Sequence, residues 1–445
     1  MIAPSSKLLT RVAVVLLPFS LLPAIAPASL TLSIAAIVLF ASLALLDVFF
    51  GLGRLSGIQI RLAETTRMTR DKEGILEVHI QNQGKKTLQL RIGIPLPQAF
   101  ESDQEDMWVR LPDNEEFSRV EWPCRPLERG HFLLDSCHLE RLSPLGFWCF
   151  REMQPVSSEI RVYPNLMSER RNLAALFLNR GLLGLHAHRQ VGQGREFEKL
   201  REYLPGDNFD DIHWKATAKR GRPITKEFQI EKTQEVYVVV DASRLSARPS
   251  VPGEEDSDTI LERYIASALV LGLVAERQGD LFGLLTFSER VNRFVRAKSG
   301  KSHYDSCRDA LYTLRARTVN PDFDELCSFI RLRLRRRALI VFLTNLEDPV
   351  LSESFARNAD LISRQHLVLV NMFHPPGAAP LFETGDVEKL DDLYRELAGH
   401  IQWQDIRQLE RLLEKKGVRF HLLDNDLMCV QLVTQYINVK RRQIL

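Results

Sequence analysis

Residues 201–221, "REYLPGDNFDDIHWKATAKRG", crowd carboxylates and cationic side chains around His213 and Trp214. Two chemistries suit such a set. Asp207 or Asp211 as a general base with His213 as its partner would move protons. Adding His186 and His188 upstream gives imidazoles and carboxylates together, a donor set for zinc or manganese and so for a metal-dependent hydrolase. Spacing speaks against both. The chain has no H-E-x-x-H and no G-x-S-x-G elbow, and "GQGREF" lacks the following G-K-[ST] of a phosphate loop. Two histidines two residues apart usually share one strand face. The expectation is therefore a non-enzymatic, ion-paired latch. Pro205-Gly206-Asp207-Asn208 makes a turn, and Asp207 accepts from backbone N–H groups or pairs with Arg201.

A second set follows the apolar run "VYVVVD". Asp241 ends that run, with Ser243, Leu245 and Ser246 behind it, and Thr344-Asn345 ends a later run of the same kind. Hard oxygens at the ends of strands are magnesium chemistry. Only one certain carboxylate is present, so the expectation is a metal-free site in which Asp241 caps a turn, with Mg²⁺ as the alternative. A third feature is "FIRLRLRRRALIVFLTNL", whose arginines at 331, 333, 335, 336 and 337 suit anionic lipid or nucleic acid. No aromatic platform is interleaved with them. They read as the solvated end of a helix entering a buried strand, and no nucleic-acid partner is expected.

The elements that hold these residues differ along the chain. From Val12 to Phe50 the only ionisable residue is Asp47, and prolines split the stretch into Leu8–Ile25 and Ala28–Phe50. Each run approaches the ~20 residues that cross a bilayer core. Lys7 and Arg11 before the pair, with Arg54 and Arg61 after it, place both ends in the cytoplasm. If the first run were instead a signal peptide, Ala24-Ile25-Ala26 would be its cleavage site. Residues 55–165 alternate in short strands punctuated by proline and glycine, as a β-sandwich does. In "ILEVHIQNQGKKTLQLRIG", two strands flank a turn at Asn82-Gln83-Gly84. Residues 166–234 form a linker region that contains the 201–221 motif. From 235 to 445 strands alternate with helices: 236–241, 281–287, 291–297, 338–346, 366–373 and 418–424 are strands, and 261–279 and 426–442 are helices. That rhythm is a doubly wound α/β fold, whose ligands gather at the carboxyl ends of the strands.

Composition sets bounds on the partners. With 445 residues, 26% charged and a net charge of +2, no global field draws the chain to nucleic acid. The six cysteines are scattered without a C-x-x-C, which gives neither a zinc ribbon nor a disulfide framework and suits a reducing compartment.

Strand–Asp-x-Ser followed by an amphipathic helix resembles the von Willebrand factor A fold. That resemblance implies a magnesium site, onto which Asp241 and Ser243 map. Leu245 stands at the third motif position, Ser246 is one residue out of register, and Asn345 stands where the second aspartate falls. For the threonine of that set no residue maps, although Ser299 and Ser302 lie in the loop around 297–302. The 201–221 stretch resembles the bacterial domain of unknown function 58 family through Arg201, Tyr203, Gly206, Asp207, Ile212, His213, Trp214, Lys215, Lys219 and Arg220. Asp210-Asp211 departs from it, where relatives often carry a basic residue. Ser143-Pro144-Leu145-Gly146 and the paired membrane segments match it too. The resemblance implies a bacterial inner-membrane adaptor with cytoplasmic domains, working with a MoxR-type AAA+ ATPase in assembly or maturation of other complexes. Arg201, Tyr203, Gly206, Asp207, His213, Trp214 and Lys215 would then face the partner. The rival readings are the hydrolase above and a plain adhesion or scaffold module.

Overall fold

The computed structural model describes the chain except residues 26, 52–54, 56, 86, 168, 170, 172–190, 206, 230–233, 252–257, 382–389, 426 and 443–445. Ala26, Arg54, His186, His188 and Gly206 thus lie outside the described residues. Two compact units result, 1–165 and 166–445, and the apolar hairpin belongs to the first.

The first unit opens with strand β1 (Ile2–Pro4), helix α1 (Ser6–Ile25), a 3-10 turn (Pro27–Ser29) and helix α2 (Leu30–Gly51). Both helices are long and apolar enough to cross a membrane. Their most apolar windows are only 6% and 17% buried, so these are not core helices. Leu9, Val14, Leu17, Leu45 and Phe49 stand exposed on them, a surface that suits lipid and marks the chain as membrane-associated.

Nine further strands form the sandwich: β2 (Ile58–Leu62), β3 (Thr65–Thr69), β4 (Gly74–Asn82), β5 (Leu88–Gly93), β6 (Phe100–Glu101), β7 (Asp106–Leu111), β8 (Phe117–Pro126), β9 (Gly130–Leu142) and β10 (Trp148–Tyr163). One sheet runs β1-β10-β9-β5-β7 with β3 added to β10, and the other runs β2-β4-β8-β6. Pairing is antiparallel except between β3 and β10. Leu76, Val78 and Ile80 of β4 are buried, as are Leu90 and Ile92 of β5. The turn after Asn82 does not close a hairpin, because β4 and β5 lie in opposite sheets. Both apolar faces must meet in one core, so the chain crosses from one sheet to the other there.

The hairpin grips this sandwich through Asp47, the lone acid of α2, which is 2% exposed. Its carboxylate accepts from the Ser143 hydroxyl, from Leu145 N (2.9 Å) and from Phe147 N (3.2 Å). Around it, Trp148 Nε1 donates to Ala44 O, the Ser5 hydroxyl donates to Gly146 O, and Arg11 lies over the Phe147 ring. A Cβ on Gly51 would collide with the Phe150 ring.

The second unit begins with a ribbon of β11 (Val191–Glu202) and β12 (Ile224–Gln229), paired antiparallel, with helix α3 (Trp214–Arg220) in the connection. The α/β domain follows: β13 (Glu235–Asp241), α4 (Ile260–Arg277), β14 (Leu281–Phe287), β15 (Val291–Lys298), α5 (Lys301–Leu311), α6 (Phe323–Arg333), β16 (Leu339–Leu343), α7 (Pro349–Ser363), β17 (Leu367–Phe373), α8 (Leu390–Lys415), β18 (Arg419–Leu423) and α9 (Met428–Arg441). The sheet order is β15-β14-β13-β16-β17-β18, parallel throughout except for the edge strand β15. Val236, Val238 and Val240 of β13 pack with α4 and α9 on one face, while Tyr237 and Val239 pack with α6, α7 and α8 on the other. A strand buried on both faces needs such a continuous apolar run. The five arginines stand exposed at the carboxyl end of α6 and in the connection into β16, where they complement the helix dipole.

Candidate functional site

Two places gather the chemistry-bearing residues, and the 201–221 motif is the first. The ribbon register pairs Arg201 with Thr225 and Glu202 with Ile224, which opens a loop between β11 and β12. Arg201 closes that loop on Asp207 with two parallel bonds of 2.7 and 2.8 Å, a bidentate guanidinium–carboxylate fork. Asp207 also accepts from Leu204 N at 2.9 Å, and the Tyr203 hydroxyl donates to Asp207 O at 3.3 Å. The Arg201 bond first, and the Leu204 amide second, hold the Asp207 carboxyl below its usual range. A carboxylate so stabilised is a poor general base.

His213 is occupied as well. Its Nδ1 accepts from Ala216 N at 3.1 Å and caps α3, while its backbone N–H donates to Ile224 O at 2.8 Å. Gly221, at φ 69°, ends the helix in the left-handed conformation that favours glycine. Ile212 and Ile224 are buried and pin the loop to the ribbon. Asp210 and Asp211 sit in the 3-10 turn Phe209–Asp211, which Asn208 caps. Asp207 and His213 are thus each engaged in the local fold, Asp207 closing the loop and His213 capping α3. Among the residues the motif shows to solvent are three large apolar side chains: Leu204, Phe209 and Trp214 are 59%, 71% and 68% exposed. Lys215 sits on α3 beside Trp214, and Lys219 and Arg220 fill the last turn. These exposed apolar side chains carry no signal in a polar motif read for its charges.

The second place is the carboxyl-end crevice of the α/β sheet. Asp241 is fully buried, accepting from Ser243 N at 2.8 Å on one oxygen and from the Thr344 hydroxyl at 2.7 Å on the other. The first of these is the turn cap that its position after β13 suggests. Burial pushes the Asp241 carboxyl up, against the lowering effect of its hydrogen bonds. The Ser246 hydroxyl donates to Ser243 O at 2.9 Å, and Leu245 is buried. Asn345 is turned to Glu347: its Nδ2 donates to Glu347 Oε1 at 2.7 Å, and its Oδ1 accepts from Glu347 N at 2.8 Å. Glu347 in turn pairs with Arg248 at 3.1 Å. A shallow cavity of about 530 Å³ opens here, lined by Arg244, Leu245, Arg248, Glu347, Asp348, Pro349 and Gln402.

Ser299 and Ser302 do not belong to this crevice. The antiparallel return of β15 pairs Lys298 with Phe282, whereas Asp241 pairs with Phe287, so the 297–302 loop lies at the other end of the sheet. The loop that does reach the crevice is 316–320. Arg317 N donates to Ala242 O and Arg244 N to Val319 O, which brings Thr318 to the neighbourhood of Asp241. No periodicity marks that loop; only the backbone bonds reveal it.

Among the described residues, no group of three His, Cys, Asp or Glu side chains is arranged to hold a metal ion. A magnesium ion fits the crevice poorly. The one carboxylate has both oxygens engaged, the third motif position is apolar, and both ends of the Asn345 amide are bonded to Glu347. The cysteines are all buried and free, and burial pushes the thiols of Cys137, Cys307 and Cys327 up to about 12, far from a nucleophile.

The family described as "Protein of unknown function DUF58" matches residues 199–408, a span that takes in both places. Uncharacterized proteins of Mycobacterium bovis and Mycobacterium tuberculosis are 24% identical over 208 residues, 46% of this chain. The match covers 63% of the length of those relatives. Among solved structures, the conserved hypothetical protein BatB from Bacteroides thetaiotaomicron is 18% identical with a TM-score of 0.30, over 47% of this chain and 99% of its own. An aerotolerance-related membrane protein from Bacteroides fragilis is 17% identical with a TM-score of 0.29, over 46% and 98%.

Proposed function

We propose that the protein is a membrane-anchored, non-enzymatic adaptor that engages a MoxR-type AAA+ ATPase and serves the assembly or maturation of other protein complexes. On this reading the hairpin sits in the bacterial inner membrane and both soluble parts are cytoplasmic. The α/β domain is von Willebrand A-like and doubly wound, a reading supported by strands ordered outward from β13 in both directions and helices on both faces.

One observation carries the reading. The motif uses its charged pair Arg201–Asp207 and its histidine internally, yet leaves Leu204, Phe209 and Trp214 in solvent. Exposed aromatic residues beside a basic helix end suit a protein partner, where tryptophan and arginine anchors carry most of the binding energy. A catalytic role would need Asp207 and His213 free, and their hydrogen bonds support the adaptor instead.

The test is affinity capture of the full-length protein from native membranes with and without ATP, beside a Phe209→Ala/Trp214→Ala variant. The expected result is an ATP-sensitive AAA+ ATPase on the wild type, lost from the variant at unchanged melting temperature. Absence of any ATPase in both conditions, or equal capture by the variant, overturns the adaptor reading.

A further inference from the structure

In a metal-bridged crevice of this topology, one divalent cation ties the loop after the first strand to the loop after the fourth. Here both loops are present and the tie is made of side chains. The Thr344 hydroxyl reaches across to Asp241 at 2.7 Å, joining the end of β16 to the end of β13. A second link runs from Arg248, in the loop after β13, to Glu347, in the loop after β16, at 3.1 Å. Glu347 also receives Asn345 Nδ2, so the amide at the second-acid position is part of the same chain of contacts. Arg244 adds a bond to Asn320 and a weaker pairing with Asp348 at 3.9 Å.

We infer that the crevice is closed by a resident guanidinium in place of a divalent cation: Arg248, through Glu347 and Asn345, together with the Asp241–Thr344 bond, holds the two loops in one arrangement that neither needs nor accepts magnesium. Three features of this chain make the substitution self-consistent. Leu245 removes one oxygen donor, Asn345 removes one negative charge, and Arg248 supplies a positive charge that a nearby dication would be driven away from. The remaining carboxylate, Asp241, is wholly enclosed and has both oxygens engaged by protein donors. The inference concerns the stability and ion dependence of the crevice and stands whether or not an ATPase is the partner.

The test uses the full chain in detergent. A cation bound only by the folded protein raises the melting temperature in proportion to the logarithm of its concentration once binding saturates. Millimolar Mg²⁺ or Mn²⁺ is therefore expected to leave the midpoint where EDTA leaves it, and electron paramagnetic resonance is expected to find all added Mn²⁺ free. Arg248→Met should lower the midpoint, with no rescue by either ion. A double-mutant cycle with Glu347→Gln should show the two side chains coupled. Stoichiometric Mn²⁺ binding or a dose-dependent stabilisation of the wild type overturns the inference, and this arm needs no variant to fold. An Arg248→Met protein that melts like the wild type overturns it as well.

Discussion

Asp47 and Asp241 are both single carboxylates at the end of an apolar run, and both are nearly or wholly removed from solvent. They do different work. Asp47 reaches out of its own helix and is received by the 143–147 turn of the sandwich, two backbone amides and a hydroxyl converging on it. Asp241 stays within its loop and the neighbouring one, satisfied by one amide and one hydroxyl. The first carboxylate joins a membrane hairpin to a folded domain, and the second joins two loops of one sheet. Identical side chains in similar sequence settings are thus separated by what surrounds them. Fixed backbone amides cannot turn away when a carboxylate is lost, whereas a hydroxyl can.

That difference orders the expected effects of removal. Asp47→Ala leaves the amides of Leu145 and Phe147 without their acceptor, at about 2–3 kcal/mol with the half-exposed Leu145 amide contributing the smaller share. Thermal melting of the full chain in detergent should show the loss, and hydrogen exchange should accelerate at residues 143–148 ahead of the α/β domain. Protection unchanged at 143–148 would mean the turn holds without its anion. Asp241→Ala orphans only the Ser243 amide, because the Thr344 hydroxyl can rotate to another acceptor, so about 1–2 kcal/mol is expected. A loss as large as that of Asp47→Ala would make the two sites equivalent and remove the contrast.

Smaller still is the effect of Asp207 on global stability, because its guanidinium fork with Arg201 closes only its own short loop. Asp207→Ala should speed exchange at residues 203, 204, 207 and 208 while leaving the α/β domain's melting untouched, and on the proposed adaptor reading it should weaken capture of the partner. Loss of global stability instead would show the motif to be part of the core.

How much of this could be read from residues alone follows from the same contrast. The apolar hairpin, the alternating strands and the buried runs that became β13, β14, β16 and β17 are legible because hydrophobic period reports burial directly. So is the Arg201–Asp207 pair, since both partners lie in one short loop. Asp47 stands out as the one acid of its run, but its receptor, 96 residues away at Ser143, has no local mark. The pairing partners of β4 and β5 are hidden for the same reason: a turn fixes which residues are near, not which sheet takes each strand. At the crevice, Leu245 and Asn345 are visible as departures from a metal-binding pattern. Arg248, Glu347 and the 316–320 loop are not, because they meet only when three loops converge at the end of the sheet.

The finest distinction between the two carboxylates is electrostatic, and pH resolves it. Burial raises the Asp241 carboxyl above its ordinary value of 3.8, with its hydrogen bonds opposing that shift. A group raised on folding stabilises the native state below its unfolded value and loses that contribution as pH climbs through its folded value. Asp241→Asn removes the titration while keeping the shape: the amide oxygen can accept from Ser243 N, and the amide nitrogen can donate to the Thr344 oxygen. Melting temperatures of the two proteins should therefore lie closest near pH 4, with the asparagine form gaining on the wild type as pH rises toward neutrality. A divalent cation at this crevice would produce the opposite trend, because it would hold Asp241 ionised and make the carboxylate worth more at neutral pH than at acid pH. A gap that stays flat, or that turns in favour of the wild type as pH rises, would mean that Asp241 is held ionised in the folded protein and that burial does not dominate its titration.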